Sequence, residues 1–388
     1  MPGAVIVDAV RTPIGRAFKG SLTQVRPDEL GAYAIDRLLE RNPVVDPGSV
    51  EEVIAGCGLP QGLQAFNIGR AITLLSEKLP QEVNGQTVSR YCASGLDAIR
   101  HAGNAVAAGQ GDVYLAAGVE CVSRYNERQE VAGVADQNER LQGREPGQPN
   151  VYIQMGDTAV NVAKRYEVSR PEMDKYAQRS QELAVRSQED GFFDREIVPV
   201  ALPDGSEVAK DDGPRPDSSL EKLAELPEVF DGGGGVTAGN SCPLNDGAAA
   251  ALVMSEQRAR ELGIEPRARI VTAATSANEP EYMGVAPIGA IRKVLERAGM
   301  TMADVDVVEL NEAFAAQVIP IMAECDIPLE KLNPHGGAIA LGHPFGMTGV
   351  RMMTTLLNGL ESDDGQIGLE TMRVAGGQGE AMIVERLK

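Results

Sequence analysis

Three side chains in this sequence have the types and settings for nucleophilic chemistry. Cys92 follows a β-like stretch and leads directly into Ala-Ser-Gly at the start of a helical pattern. A sulfur so placed sits near unpaired N–H groups and the positive end of the helix dipole, which favours the thiolate. The same cysteine also reads as a small buried hydrophobe. His343 stands in Gly342-His343-Pro344, with Gly336, Gly337, Gly346 and Gly349 close by. So little bulk lets the backbone approach a ligand, and a histidine there can act as base toward a thiol. A ring simply satisfied by a turn carbonyl is the alternative. His101 and His335, the remaining histidines, are read as structural. Asn311 directly follows the apolar run 305–310, at the carboxyl end of a strand, where α/β proteins build their sites. Its amide can hold a water or an oxyanion, or can cap the helix that follows.

Short apolar runs predict the strands that position these residues, at 4–10, 50–56, 112–118, 248–254, 269–275, 305–310 and 381–387. Amphipathic stretches alternate with them, which makes the chain α/β. The clearest helix is 94–108, where Leu96, Ile99, Gly103 and Val106 share a face and Gly109 ends it. Residues 121–150 and 203–218 are polar, charged and rich in turn formers, and are read as loops. Loops this long act as lids or oligomer contacts unless they are plain surface excursions. The two halves also echo each other: 4–10 resembles 269–275, 50–56 resembles 305–310, and TVSRYCASG has a counterpart in GGAIALGHPFGMTG. Two copies of one βαβ-type unit predict the 92 and 343 loops face to face across a pseudo-twofold axis, both at helix N-termini.

Whole-chain arithmetic excludes several functions. The 388 residues suffice for a large core, and 36 Lys+Arg against 56 Asp+Glu give a net charge of −20. That balance repels phosphate backbones and no basic run offsets it, so nucleic acid is not an expected partner. Nowhere do about 20 apolar residues run uninterrupted, so no membrane span is expected. The cysteines, Cys57, Cys92, Cys121, Cys242 and Cys325, are odd in number, scattered and without a CxxC. They point away from disulfides and zinc and toward a reducing cytoplasm. Gly56-Cys57-Gly58-Leu59-Pro60-Gln61-Gly62 misses the last position of the dinucleotide fingerprint, and Pro60 obstructs a helix start. The glycines at 232–235 lack the lysine of a phosphate loop and read as a turn.

Taken together, these blocks resemble the thiolases. The likeness covers essentially the whole chain and rests on CASGLDA (92–98), VTAGNS with NDGAAA (236–250), NEAF (311–314), GGAIALGHPFGMTG (336–349) and GGQG (376–379). It implies a five-layered α-β-α-β-α fold of two similar halves, 1–118 with 236–265 and 266–388, with a loop domain inserted at 119–235. Assembly as a homodimer or homotetramer is implied, with acyl-CoA and coenzyme A as ligands and no separate cofactor. The implied reaction is thiolytic cleavage of a 3-ketoacyl-CoA or the reverse Claisen condensation. In it Cys92 is the nucleophile that accepts the acyl group, His343 the base, and Asn311 the holder of a water in an oxyanion hole shared with His343. The backbone N–H groups of Cys92 and Ala375 form a second hole. Met155, Met283, Phe314 and Cys242 match positions along the pantetheine and acyl pocket, and Arg215 matches a position near the nucleotide end of coenzyme A. A ketoacyl synthase, related in fold, uses a similar set, but the NEAF and GHP blocks favour coenzyme A substrates.

One position departs from the pattern. Thiolases carry a second cysteine before the C-terminal glycines, which moves a proton to or from the acetyl α-carbon; here the residue is Arg373, which cannot take that proton at neutral pH. Its bulk requires that it either point away or fill the pocket, and beside the reactive carbon it would attract an anionic acyl tail or an enolate. A family glycine is replaced by Ala375, which would strain any positive φ. Cys242 is then the candidate substitute proton carrier. The alternative function is a thiolase-like protein that binds acyl-CoA or is acylated by it but is impaired in carbon–carbon chemistry.

Overall fold

Apolar runs become strands where both faces can be covered, and all seven do so in the computed structural model, which describes residues 3–125, 137–230 and 232–387. The strands are β1 Ala4–Arg11, β2 Glu52–Cys57, β3 Asn84–Val88, β4 Val113–Cys121, β5 Asn245–Ser255, β6 Ala268–Ala277, β7 Val307–Leu310, β8 Ile367–Val374 and β9 Gln378–Arg386. Two of them, β3 and β8, carry too many polar residues to be read from pattern. The principal helices are α1 Pro27–Arg41, α2 Ile68–Leu75, α3 Ser94–Ala107, α4 Met155–Arg165, α5 Arg170–Glu189, α6 Pro287–Ala298, α7 Ala315–Glu324 and α8 Phe345–Ser362. Helix α3 ends as expected, with Gly109 left-handed at φ 69°.

Strand order bears out the internal echo. The first half runs β3-β2-β4-β5-β1 and the second β7-β8-β9-β6, joined where β1 pairs antiparallel with β6 at Val5 and Arg269. In the second half the counterpart of β3 shrinks to one parallel bridge, Leu332 with Val308. Three apolar cores separate the layers. One packs α1 and α2 on the first half through Ile35, Leu38 and Ile72. The central one holds α3 and α8 between the halves through Leu96, Ile99, Val350 and Met353. The third packs α4, α6 and α7 on the second half through Val160, Ile291 and Val318. The result is the expected α-β-α-β-α sequence of layers.

Part of the loop reading at 121–150 lies outside the described residues, at 126–136; the described rest is irregular apart from Cys121 at the end of β4, the turn Glu139–Leu141 and a single bridge of Gln142 with Asn150. The 203–218 stretch is irregular too, apart from a two-residue pairing of Val200–Ala201 with Glu207–Val208. It is pinned to the core, because buried Arg11 reaches Asp211 with both terminal nitrogens at 2.8 and 2.9 Å. Among the described residues no helix is long and apolar enough to cross a membrane.

Candidate active site

Cys92 sits in a single helical turn, Tyr91–Ala93, that runs straight into α3. The preceding Tyr91 has φ 44°, a left-handed conformation that costs on the order of 1–3 kcal/mol in a non-glycine residue. Ser94 holds the turn in place: its hydroxyl donates to the Tyr91 carbonyl at 2.6 Å and accepts the Arg90 N–H at 2.9 Å. The sulfur is buried, 6% exposed.

The loop bearing His343 meets this turn across the central layer, as the echo predicts. Buried Glu120 ties the start of α8 to the loop after β2, accepting N–H bonds from Gly346 at 2.9 Å and from Gly58 at 2.7 Å. The His343 backbone N–H donates to Asn245 Oδ1 at 2.9 Å. Its ring is fully buried, with Nδ1 2.7 Å from Thr348 Oγ1. Since the Thr348 hydroxyl spends its proton on the Pro344 carbonyl, it accepts from His343, so Nδ1 carries the hydrogen. That leaves Nε2 with the lone pair, where it accepts from Asn311 Nδ2 at 3.3 Å. Burial, and then the charges of Arg373 and Arg351, push the imidazole well below its ordinary pKa, so it is a neutral base.

Asn311 follows β7, and its N–H donates to Thr371 of β8 at 3.1 Å. It does not cap a helix, because α7 begins only after Phe314. Its Oδ1 is buried without a partner. The adjacent Glu312 accepts from Tyr176 at 2.7 Å and Ser180 at 2.6 Å, both on α5, and from Asn333 at 2.8 Å, which ties α5 to the site.

Arg373 fills the pocket. The residue is 3% exposed, and Nη1 donates to Cys92 Sγ at 2.7 Å. Its charge also acts on His343 and on Cys242. Cys242 is partly buried, its N–H donating to Ala313. Burial pushes its thiol up to about 12, against the pull of Arg373, so it is protonated at neutral pH. The strain expected at Ala375 does not arise: in the β8–β9 hairpin the positive φ values belong to Gly376 and Gly377, at 79° and 77°. Their missing side chains absorb the turn that alanine resists.

Of the proposed pocket lining, Met155 is partly buried at the start of α4, and Phe314 is buried edge-on to Phe230 with ring centroids 6.2 Å apart. Met283 is wholly buried and presents no face to an open channel. Exposed Arg215 joins Arg16, Gln181, Ser218, Gly239 and Ser241 around a groove that Pro243 also lines. Burial and the like charge of Arg16 both lower the Arg215 pKa, so two guanidiniums crowd a site that suits an anion. The four glycines at 232–235 all have positive φ, in keeping with a turn.

Sequence reasoning missed Thr348, Asn245 and Arg16. Thr348 carried a usable signal, five residues beyond His343 in the same first turns of a helix, where a hydroxyl can orient the ring.

Comparison with known proteins agrees with this geometry. The description "Thiolase, N-terminal domain" matches residues 4–257 and "Thiolase, C-terminal domain" residues 264–386. A 3-oxoadipyl-CoA/3-oxo-5,6-dehydrosuberyl-CoA thiolase of Escherichia coli is 43% identical over 100% of both chains. A beta-ketoadipyl-CoA thiolase of Pseudomonas aeruginosa is 44% identical over 98% of each. Among solved structures, the acetyl-CoA acetyltransferase of Bacillus anthracis superposes with TM-score 0.91 at 38% identity, covering 100% of this chain and 99% of that one. The dimeric peroxisomal thiolase of Saccharomyces cerevisiae gives 0.93 at 37%, covering 100% and 98%. A likeness that runs through both halves at this identity reflects descent and not architecture alone, and the chain belongs to the thiolase family, the acyltransferases that work on coenzyme A thioesters.

Proposed function

We propose that this chain cleaves a 3-ketoacyl-CoA with coenzyme A, or runs the reverse condensation, through an acyl-enzyme on Cys92. The observation that carries this reading is the neutral His343 imidazole, fixed by Thr348 so that Nε2 carries the lone pair, in one buried cluster with Asn311 and the Cys92–Arg373 pair. His343 Nε2 takes the Cys92 proton as the sulfur attacks. The Asn311 amide holds a water that, with His343, faces one oxyanion, and the N–H groups of Cys92 and Ala375 face the other. Cys242, as a protonated thiol, carries the proton to the acetyl α-carbon. Met155 and Phe314 flank the pantetheine arm, Met283 supports them from behind, and Arg215 with Arg16 receives the phosphates of coenzyme A. The reaction needs no separate cofactor, since nucleophile, base and donors all belong to the chain.

The names of the relatives favour full thiolysis over a protein that stops at the acyl-enzyme, and they make 3-oxoadipyl-CoA the first substrate to try beside acetoacetyl-CoA. We place the protein in the cytoplasm, on the strength of its free cysteines, as a homodimer or homotetramer, on the strength of the dimeric yeast relative. The test is intact mass after exposure to acetyl-CoA, coupled to coenzyme A release. A gain of one acyl group in the wild type and none in Cys92→Ala is expected; no acylation, or acylation that survives in Cys92→Ala, refutes the reading.

A further inference from the structure

Arg373 is buried, yet among the described residues no carboxylate lies within ion-pair distance of it. Its one hydrogen-bond acceptor is the Cys92 sulfur at 2.7 Å, and its Nε is buried without a partner. A buried guanidinium without a counter-charge is costly, by several kcal/mol on the order-of-magnitude scale for such ions. A fold that keeps one against its nucleophile has built a place for an anion. Carbon–carbon cleavage produces an anion there. The carbon that Sγ attacks is bonded to the carbon that leaves, so the oxygen conjugated to the leaving carbon is generated only a few bonds from the sulfur that Arg373 contacts.

We propose that Arg373 is a catalytic residue that holds the negative charge of the reaction, first on the Cys92 sulfur and, after cleavage, on the enolate oxygen of the departing acetyl-CoA. This rests on the reading of Cys92 as nucleophile. The sulfur forms a bond to the 3-keto carbon and the carbonyl π electrons move onto its oxygen. As that oxygen reforms the carbonyl, the bond between carbons 2 and 3 breaks and its electron pair enters the enolate, whose oxygen now faces Arg373. The Cys242 thiol protonates the enolate carbon, giving acetyl-CoA. The thiol of incoming coenzyme A returns that proton to Cys242, its sulfur attacks the acyl thioester, and the Cys92 sulfur leaves with the electron pair, back beside Arg373, where it recovers the proton that His343 took. Atoms and electrons balance with no further reagent. The arginine thus performs the charge stabilisation of a donor in an oxyanion hole and leaves the proton to another group.

The enolate can be read without turnover, as exchange of the acetyl methyl protons of acetyl-CoA in D2O, followed by NMR beside intact-mass acylation of Cys92. Arg373→Gln keeps hydrogen-bond donors but loses the charge, and it should exchange on the order of 100-fold more slowly, the usual effect of removing one such donor. Acylation of Cys92, read separately by intact mass, should slow in this variant too, because the thiolate loses the same charge. Arg373→Lys keeps a charge and should retain most of the exchange, which separates charge from packing. If Arg373→Gln exchanges at the wild-type rate, or Arg373→Lys falls as far as Arg373→Gln, the proposal is overturned. Wild-type protein that is never acylated at Cys92 overturns the underlying reading instead, and this proposal with it.

Discussion

Glycine context and position after a strand made Cys92, His343 and Asn311 legible as single residues, because a chemical group needs room and a carboxyl-end location. What orients them was less legible: Thr348 sits on an ordinary helical turn, and only the structure shows its hydroxyl spent on Pro344 and turned as acceptor toward His343. The direction of Arg373 was likewise open until its contact with Cys92 was seen. The Thr348 bond gives a sharp prediction. Thr348→Val keeps the shape but leaves the His343 Nδ1–H without an acceptor, a loss of about 1–3 kcal/mol that should lower kcat by about 10- to 100-fold through a flipped or tilted ring. Unchanged kcat with folded protein would show that the hydroxyl does not set the tautomer. The same imidazole governs the acid side of the pH profile. Its folded pKa lies below the ordinary value, so the base form persists as pH falls through 6.5, and kcat should hold below that point. The linkage sign is opposite for stability: the unfolded state binds the proton first, so Tm should fall as pH drops below about 6.5, and less so in His343→Gln.

At the scale of elements, apolar period revealed seven strands and the α3 helix, but not β8. Its pattern is broken by Glu370 and Arg373, both buried. Glu370 and its register partner Glu309 face buried Arg351 of α8, and burial raises both carboxyls, Glu309 to about 8. Charges inside a sheet defeat a reading that equates burial with apolar side chains. The joint between α3 and α8 was legible only as glycines, and its tightness is what brings the two reactive loops together. A Cβ on Gly349 would lie 2.1 Å from the Leu96 backbone nitrogen, whereas one on Gly359, lower on the same helix, meets nothing closer than 3.6 Å. Gly349→Ala must therefore push α3 from α8, at about 1–3 kcal/mol or more for overpacking, and carry the Cys92 turn with it. Its Tm and kcat should both fall, while Gly359→Ala should hold or raise Tm, since alanine is favoured by about 1 kcal/mol inside a helix. Equal Tm for the two variants would break the link between this joint and the site.

The whole molecule carries a net charge of −20 and binds, on our reading, a ligand rich in phosphate. The general field therefore opposes association, and the local pair of Arg16 and Arg215 at the groove must reverse it over a few ångströms. The sign of this competition is readable from salt. Exposed charges are screened beyond about 10 Å at 0.1 M ionic strength, so salt weakens the distant repulsion and the local attraction to different extents. Removing Arg215 leaves the repulsion with less to offset it. Arg215→Ala should raise KM for acyl-CoA with kcat little changed, because the arginine is exposed and lines a groove that Cys92 does not line. The defect should be largest at about 20 mM salt and shrink toward 500 mM, as the net negative field is screened away. A defect that grows with salt, or that appears in kcat instead of KM, would mean that Arg215 acts on the structure of the groove and not on the charge of the ligand.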